Sequence, residues 1–231
     1  MKPLAFLPIL LASASISQGA IIIGNLAAYN TTDTGTTTGI NYSPGNGTTT
    51  FPGYGSKAVS FTMGSTAYTV DSVVLRLTDV GASGTDAPTV SIYQANGGGT
   101  APSATLIGSF INPTFTSTAS TNYTFNASGL ITLAAGTTYF LTVQQLITTG
   151  PDYGFIWDNG GGTANTNTIP TGTGATNGVA TFGGGPAATA INSSSSRFNW
   201  YQLNGTAIPE PSAALLALGG IALVTRRNRR S

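Results

Sequence analysis

The sequence predicts an all-β fold, a single antiparallel β-sandwich of jelly-roll-like topology over residues 20–204. Three observations carry this. Large apolar residues recur at every second position in several short runs, the spacing that sends alternate side chains to one face of a strand. The runs are punctuated by Gly-, Asn-, Asp- and Pro-rich turns. No amphipathic helical pattern appears between residues 21 and 207.

Taken in order, residues 21–26 open the strand set, beginning with Ile21-Ile22-Ile23. Residues 31–55 are rich in Thr, Gly and Asn and read as a long loop, packed down by Phe51, Tyr54 and Tyr42. Val59, Phe61 and Met63 alternate with Ser60 and Thr62, and Val73, Leu75 and Leu77 alternate with Val74, Arg76 and Thr78. Val90 and Ile92 alternate with Thr89, Ser91 and Tyr93. After a turn at Asn96-Gly97-Gly98-Gly99 come residues 105–111 and 123–125. A second turn at Ala134-Ala135-Gly136 leads into Tyr139, Leu141 and Val143, which alternate with Phe140, Thr142 and Gln144. Residues 154–157 and 198–203 complete about nine short strands, the count expected of one sandwich. Residues 160–196 hold few large apolar groups, Ile169, Val179, Phe182 and Ile191 among them, and read as a flexible excursion before the last strand.

Composition excludes much chemistry. Between residues 21 and 207 the cations are Lys57, Arg76 and Arg197, against Asp33, Asp71, Asp79, Asp86, Asp152 and Asp158. That acidic excess presents no basic surface to nucleic acid. The chain has no cysteine, so neither disulfides nor thiol chemistry are available, and no histidine, so it lacks the usual general base near neutral pH and the commonest zinc ligand. Serine, cysteine and zinc hydrolases of the usual kind are excluded. Two carboxylates are enough for a glycosidase, but Asp152 and Asp158, the nearest pair, would lie about 20 Å apart along an extended strand. The loop from Asp79 to Asp86 lacks the dense alternating acids of a calcium loop and reads as a solvated turn. The expectation is a protein with no catalytic residue, no metal and no cofactor.

Both flanks of the sandwich carry targeting features. Met1-Lys2 gives one positive charge, residues 4–16 are mostly apolar or small, and Ala12, Ser13, Ala14, Ser15, Ser17, Gly19 and Ala20 offer several cleavage positions. That is the layout of a secretory signal peptide, assigned to residues 1–19, with the mature start falling between Ser15 and Ala20. At the other flank, residues 205–231 hold Pro209-Glu210-Pro211, an apolar run over residues 213–225, and the cluster Arg226, Arg227, Arg229 and Arg230. The two prolines hold the tripeptide extended. The apolar run would span about 20 Å as a helix, against a hydrocarbon core of about 30 Å. Its six large aliphatics sum to about −2 to −4 kcal/mol of insertion energy, and the arginines favour the cytoplasmic side. The segment reads as a temporary hold in the membrane. A buried core helix is disfavoured, because such a helix is amphipathic and this run is apolar all round.

The arrangement over residues 208–230 resembles the PEP-CTERM sorting signal of Gram-negative bacteria. The resemblance implies that a membrane-embedded exosortase is the processing partner, cutting near Pro209, Glu210 and Pro211. It also implies that Arg226, Arg227, Arg229 and Arg230 form the cytoplasmic stop, and that the domain ends in the cell envelope, the outer surface or the extracellular matrix after passing transiently through the inner membrane. The pattern Ala58-Val59-Ser60-Phe61-Thr62, Tyr68-Thr69-Val70-Asp71-Ser72-Val73, Pro88-Thr89-Val90-Ser91-Ile92-Tyr93 and Leu133-Ala134-Ala135-Gly136-Thr137-Thr138-Tyr139 looks like the choice-of-anchor R domain. That resemblance covers roughly residues 21–203 and brings no catalytic residues with it.

Two readings of the exported domain stay open. One is a non-catalytic surface or matrix protein. The other is a carbohydrate-binding module of the extracellular polysaccharide layer, with Tyr153, Trp157, Trp200 and Tyr201 as glycan contacts. They are separated by whether Trp157 and Trp200 show their faces together on one side of the sheet.

Overall fold

Strand β4 (Tyr68–Thr78) shows how the pattern becomes structure. Tyr68 and Val70 are buried, the phase slips by one, and Val73, Leu75 and Leu77 are buried in turn. The slip is a bulge: between Val70 and Ser72 the partner strand β7 (Thr121–Leu133) advances from Ile131 to Asn126. A bulge of this kind keeps both halves of a strand facing the same core despite a broken alternation.

The computed structural model describes residues 19–28, 39–41, 54–78, 80, 87–146, 154–158, 170–184, 192–194 and 199–209. The expected signal peptide up to residue 18, the tail beyond Pro209, and the Asp79–Asp86 turn apart from Val80 lie outside these residues. Besides β4 and β7, the strands are β1 (Ala20–Gly24), β2 (Gly39–Asn41), β3 (Tyr54–Met63), β5 (Pro88–Ala95), β6 (Pro102–Ile111), β8 (Thr138–Leu146), β9 (Gly154–Trp157), β10 (Ala175–Gly184), β11 (Asn192–Ser194) and β12 (Tyr201–Ala207). The fold is all-β and antiparallel, as expected. Among the described residues there is one 3-10 turn, Leu26–Ala28, and no helix long and apolar enough to cross a membrane.

The strands form one sheet in the order β1-β12-β4-β7-β6-β5-β8-β3-β10-β11, with β9 joined to β4 and β2 joined to β9. The path bends at β6, whose earlier residues pair with β5 while Phe110 and Ile111 pair with β7. It nearly closes where Gly24 exchanges two backbone hydrogen bonds of 2.9 Å with Thr171, just before β10. One hydrophobic cluster fills the inside, with Val59, Phe61, Leu141 and Val143 meeting Val73, Leu75, Phe125 and Leu203. Each such fully buried side chain contributes about 1.5–3 kcal/mol.

Two expectations need correction. Residues 160–196 are not wholly an excursion: β10 pairs with β3 from Ala175↔Met63 to Gly184↔Gly55, and β11 pairs with β10. Residues 31–55 likewise contain β2, paired with β9, and the start of β3. Neither β10 nor β2 carries a run of large apolar residues, so pairing with an already buried partner, rather than intrinsic strand preference, specifies them. The final strand also runs past residue 204 to Ala207.

The register sorts the turns onto two rims. One rim gathers the start of β1, the end of β12 and the turns at residues 64–67, 96–101 and 134–137, since Ala20 pairs with Gly205, Tyr68 with both Ala207 and Leu133, and Thr62 with Thr138. Gly99 and Gly136, with φ of 68° and 65°, make two of these turns in the left-handed region that glycine enters without a steric penalty. The opposite rim holds the ends of β1 and β4 and the starts of β5, β7 and β12.

Gly205 lies in β12 between β1 and β4, where an added methyl group would collide with the Thr69 carbonyl oxygen and lie 2.7 Å from Ile22 Cδ1. Gly205→Ala is therefore expected to lower the unfolding free energy by about 1–3 kcal/mol, measured by urea titration of the domain.

Candidate functional site

The densest polar structure among the described residues is a corner where β4 changes partner. Up to Leu75 it pairs with β12, and from Leu77 it pairs with β9. Between them Arg76 splits its backbone bonds, its N–H donating to the Trp200 carbonyl at 3.2 Å and its carbonyl accepting from the Asp158 N–H at 3.0 Å. A change of partner strands polar groups that the ladder would otherwise satisfy, and buried backbone groups must find partners. Asparagine side chains supply them. Asn199 Nδ2 donates to the Trp157 carbonyl at 2.6 Å, and Asn25 donates to the Asn199 carbonyl at 3.2 Å while accepting from the Tyr201 N–H at 3.0 Å. The Trp157 indole N–H donates to the Trp200 carbonyl at 3.0 Å.

A charged cluster caps the corner. The Arg76 guanidinium lies 3.6 Å from the Asp158 carboxylate and donates to Asn122 Oδ1 at 3.0 Å and to the Ser120 carbonyl at 3.2 Å. Asp158 also accepts from Thr78 Oγ1 at 2.8 Å and from the Ser120 hydroxyl. Both oxygens of Asp158 are thus engaged by its own chain, which makes it a structural acceptor. Asp152 lies outside the described residues. Among the described residues no group of three or more His, Cys, Asp or Glu comes together.

The four aromatics singled out for glycan contact divide differently from the expectation. Trp157 and Tyr201 are fully buried, Trp200 is 1 % exposed, and Trp157 meets Tyr201 edge-on with ring centroids 6.4 Å apart. These three are core residues of the corner and offer no ring face to a sugar, which corrects the exposed-platform expectation. Tyr153 lies outside the described residues. Of the sorting motif, Pro209 is described: it is exposed and follows Ile208, whose N–H donates to the Ala67 carbonyl at 2.8 Å as the last bond of the β12 edge. Glu210, Pro211 and Arg226, Arg227, Arg229 and Arg230 lie outside the described residues.

Lys57 was not expected at a special position, yet it is 4 % exposed. It falls in phase with Val59, Phe61 and Met63 on β3, and its cross-strand partner is Val143. Burial lowers its pKa from 10.5 to about 7, and the charge of Asp158 opposes that fall. No protein-family model matches the chain, and no curated protein matches it.

Two outcomes follow from these groups. The native state releases the Lys57 proton near pH 7 while the unfolded chain holds it to about 10.5. The unfolded state therefore binds more protons across that window, and stability rises with pH there by up to about 1.4 kcal/mol per unit. Below pH 7 both states are protonated and the burial penalty is present in full. Lys57→Met should stabilise the domain at neutral and acid pH and flatten this slope by about one proton, as read from denaturation at pH 6, 8 and 10. Tyr201 is different: its hydroxyl is buried with no partner among the described residues, and burial pushes its pKa upward. Tyr201→Phe should leave the fold intact and raise stability by about 1 kcal/mol, since it removes an unsatisfied polar group, measured by the same titrations.

Proposed function

We propose that this chain is an exported, non-catalytic cell-surface or extracellular-matrix protein of a Gram-negative bacterium, sorted and processed by an exosortase. The observation that carries the reading is the ordered set of Pro209-Glu210-Pro211, the short apolar run and the four arginines. An extended handle, a marginally inserting segment and a cationic stop form a device for temporary retention. The exposure of Pro209, one residue beyond the last backbone bond of β12, supports it, because the handle begins at the surface of the domain.

In this reading the domain is choice-of-anchor R-like, and the two halves of the sheet on either side of β6 fold over one another as a jelly-roll-like sandwich. The shared hydrophobic cluster supports that packing. The role is retention of a stable Ser/Thr/Asn-rich module, with no substrate turned over. The absence of His and Cys and the engagement of Asp158 support a non-enzymatic role. A glycan-binding role for the domain has lost three of the four aromatics that motivated it, Trp157, Trp200 and Tyr201, so the matrix reading stands ahead of it.

In a host that contains an exosortase, the mature protein should lack the segment C-terminal to Pro209-Glu210-Pro211. Replacing the three residues with alanine should leave export intact and cause uncleaved precursor to accumulate in the inner membrane. Intact-mass measurement on envelope fractions reads both. Wild-type protein that retains Arg226 to Arg230 in such a host, or a triple variant processed normally, would remove the sorting reading.

A further inference from the structure

Both segments proposed to enter the membrane leave the domain from one rim. Ala20 pairs with Gly205, so the start of β1 lies beside the end of β12. Tyr68 pairs with Ala207 and with Leu133, which brings the turns at residues 64–67 and 134–137 to the same place. Backbone bonds knit this rim together: Gly136 N to Gly64 O at 2.9 Å, Gly64 N to Gly174 O at 2.9 Å, Gly174 N to Ile22 O at 3.1 Å and Ile208 N to Ala67 O at 2.8 Å.

This rim is poor in charge. Residues 19–20, 64–67, 96–101, 134–137, 173–174 and 207–209 contain no charged side chain, and Ile21 and Ile208 at the two chain exits are 42 % and 37 % exposed. The nearest described charge is Asp71, an exposed residue whose carboxylate accepts from Thr206 Oγ1 at 3.2 Å and lies beside Gly19 at the margin of this rim. Arg76 and Asp158 lie at the opposite rim.

The tether is short. Ile208 is pinned to Ala67, and the apolar run starts at Ala213. Five residue steps reach at most about 17 Å, while the headgroup layer on one side of a bilayer is roughly 5–8 Å thick. The rim is therefore confined to within about 10 Å of the lipid surface whenever the apolar run is inserted.

From this we infer that the rim around residues 64–67, 134–137 and 207–209, which carry no charge themselves, is a lipid-facing surface, which docks the membrane-held precursor upright on the bilayer with the Arg76–Asp158 corner pointing away. The inference rests on the proposed sorting reading, because the tail must be inserted for the tether to act.

The chain has no cysteine, so single probes are easily placed. Ser65→Cys and Ala135→Cys mark the docking rim, Ala87→Cys and Ala119→Cys mark the other, and all four positions are exposed. The full-length precursor, made in a host without exosortase, is labelled with an environment-sensitive fluorophore. It is then reconstituted into phosphatidylethanolamine–phosphatidylglycerol vesicles that carry doxyl-quencher lipids. The expected result is several-fold stronger quenching at Ser65 and Ala135 than at Ala87 and Ala119. A twelve-residue Gly/Ser spacer between Ile208 and Pro209 adds roughly 20 Å of reach and should abolish that difference while the protein still floats with the vesicles. Protein that floats but is quenched equally at both rims, or more strongly at Ala87 and Ala119, overturns the docking inference and leaves the sorting reading standing. Protein that does not float overturns the membrane hold and the docking with it.

Discussion

Strand β4 is paired along both edges, with β7 on one side and β12 then β9 on the other, and the rest of the domain is arranged around that double pairing. A strand with two partners buries its backbone groups wholly in ladders, so its side chains must go to core or surface with little freedom to shift register. Its bulge at Asp71, its row of Val73, Leu75 and Leu77, and its exchange of β12 for β9 at Arg76 are consequences of satisfying two neighbours at once. At the exchange point the β7 ladder continues while the other edge of β4 changes partner, and on that edge the corner depends on asparagine side chains and an ion pair. There side-chain polar groups do part of the work that backbone pairing does along the rest of β4.

That corner also shows why charge is so sparse in the core. Arg76 and Asp158 lie at the edge of the buried region, keep each other's charge compensated and draw further donors from Thr78 and Ser120. Lys57 lies deeper, on a face otherwise made of Val59, Phe61, Leu141 and Val143, and the same burial that stabilises its neighbours makes its charged form costly. A chain with six per cent charged residues can carry one such group because its remaining ladders are satisfied without ionic help.

Much of the architecture was readable from residue order, and the failures have identifiable causes. β3, β4, β5 and β8 declare themselves through two-residue periodicity, and Gly99 and Gly136 mark turns where the backbone enters the left-handed region. β10, with the sequence ATNGVATFGG, has no such signal; it is a strand because β3 offers it a partner. The phase of Lys57 relative to Val59, Phe61 and Met63 held the clue to its burial, but a lysine in an apolar register is ordinarily read as a strand edge. Trp157 and Trp200 illustrate the opposite limit. Nothing in their local sequence says whether an aromatic beside a glycine-rich segment faces solvent or a strand exchange, and only the partner change at Arg76 places them inside.

The pairing of β1 with β12 joins residues 20 and 205, and this gives the chain a schedule as well as a shape. A polypeptide that emerges from its first residue onward presents Ile22 and Ile23 early, and the strand that covers them last. At synthesis rates of about 5–20 residues per second, the first strand waits roughly ten to forty seconds for its neighbour, and once β4 has emerged the edge of it that β12 will occupy is open as well. An open, apolar strand edge is a template for mispairing. The closing step is therefore the release of the final strand from whatever channel the chain is passing through. The domain is held unfinished, and exposed to holding factors, until the last of its residues is free.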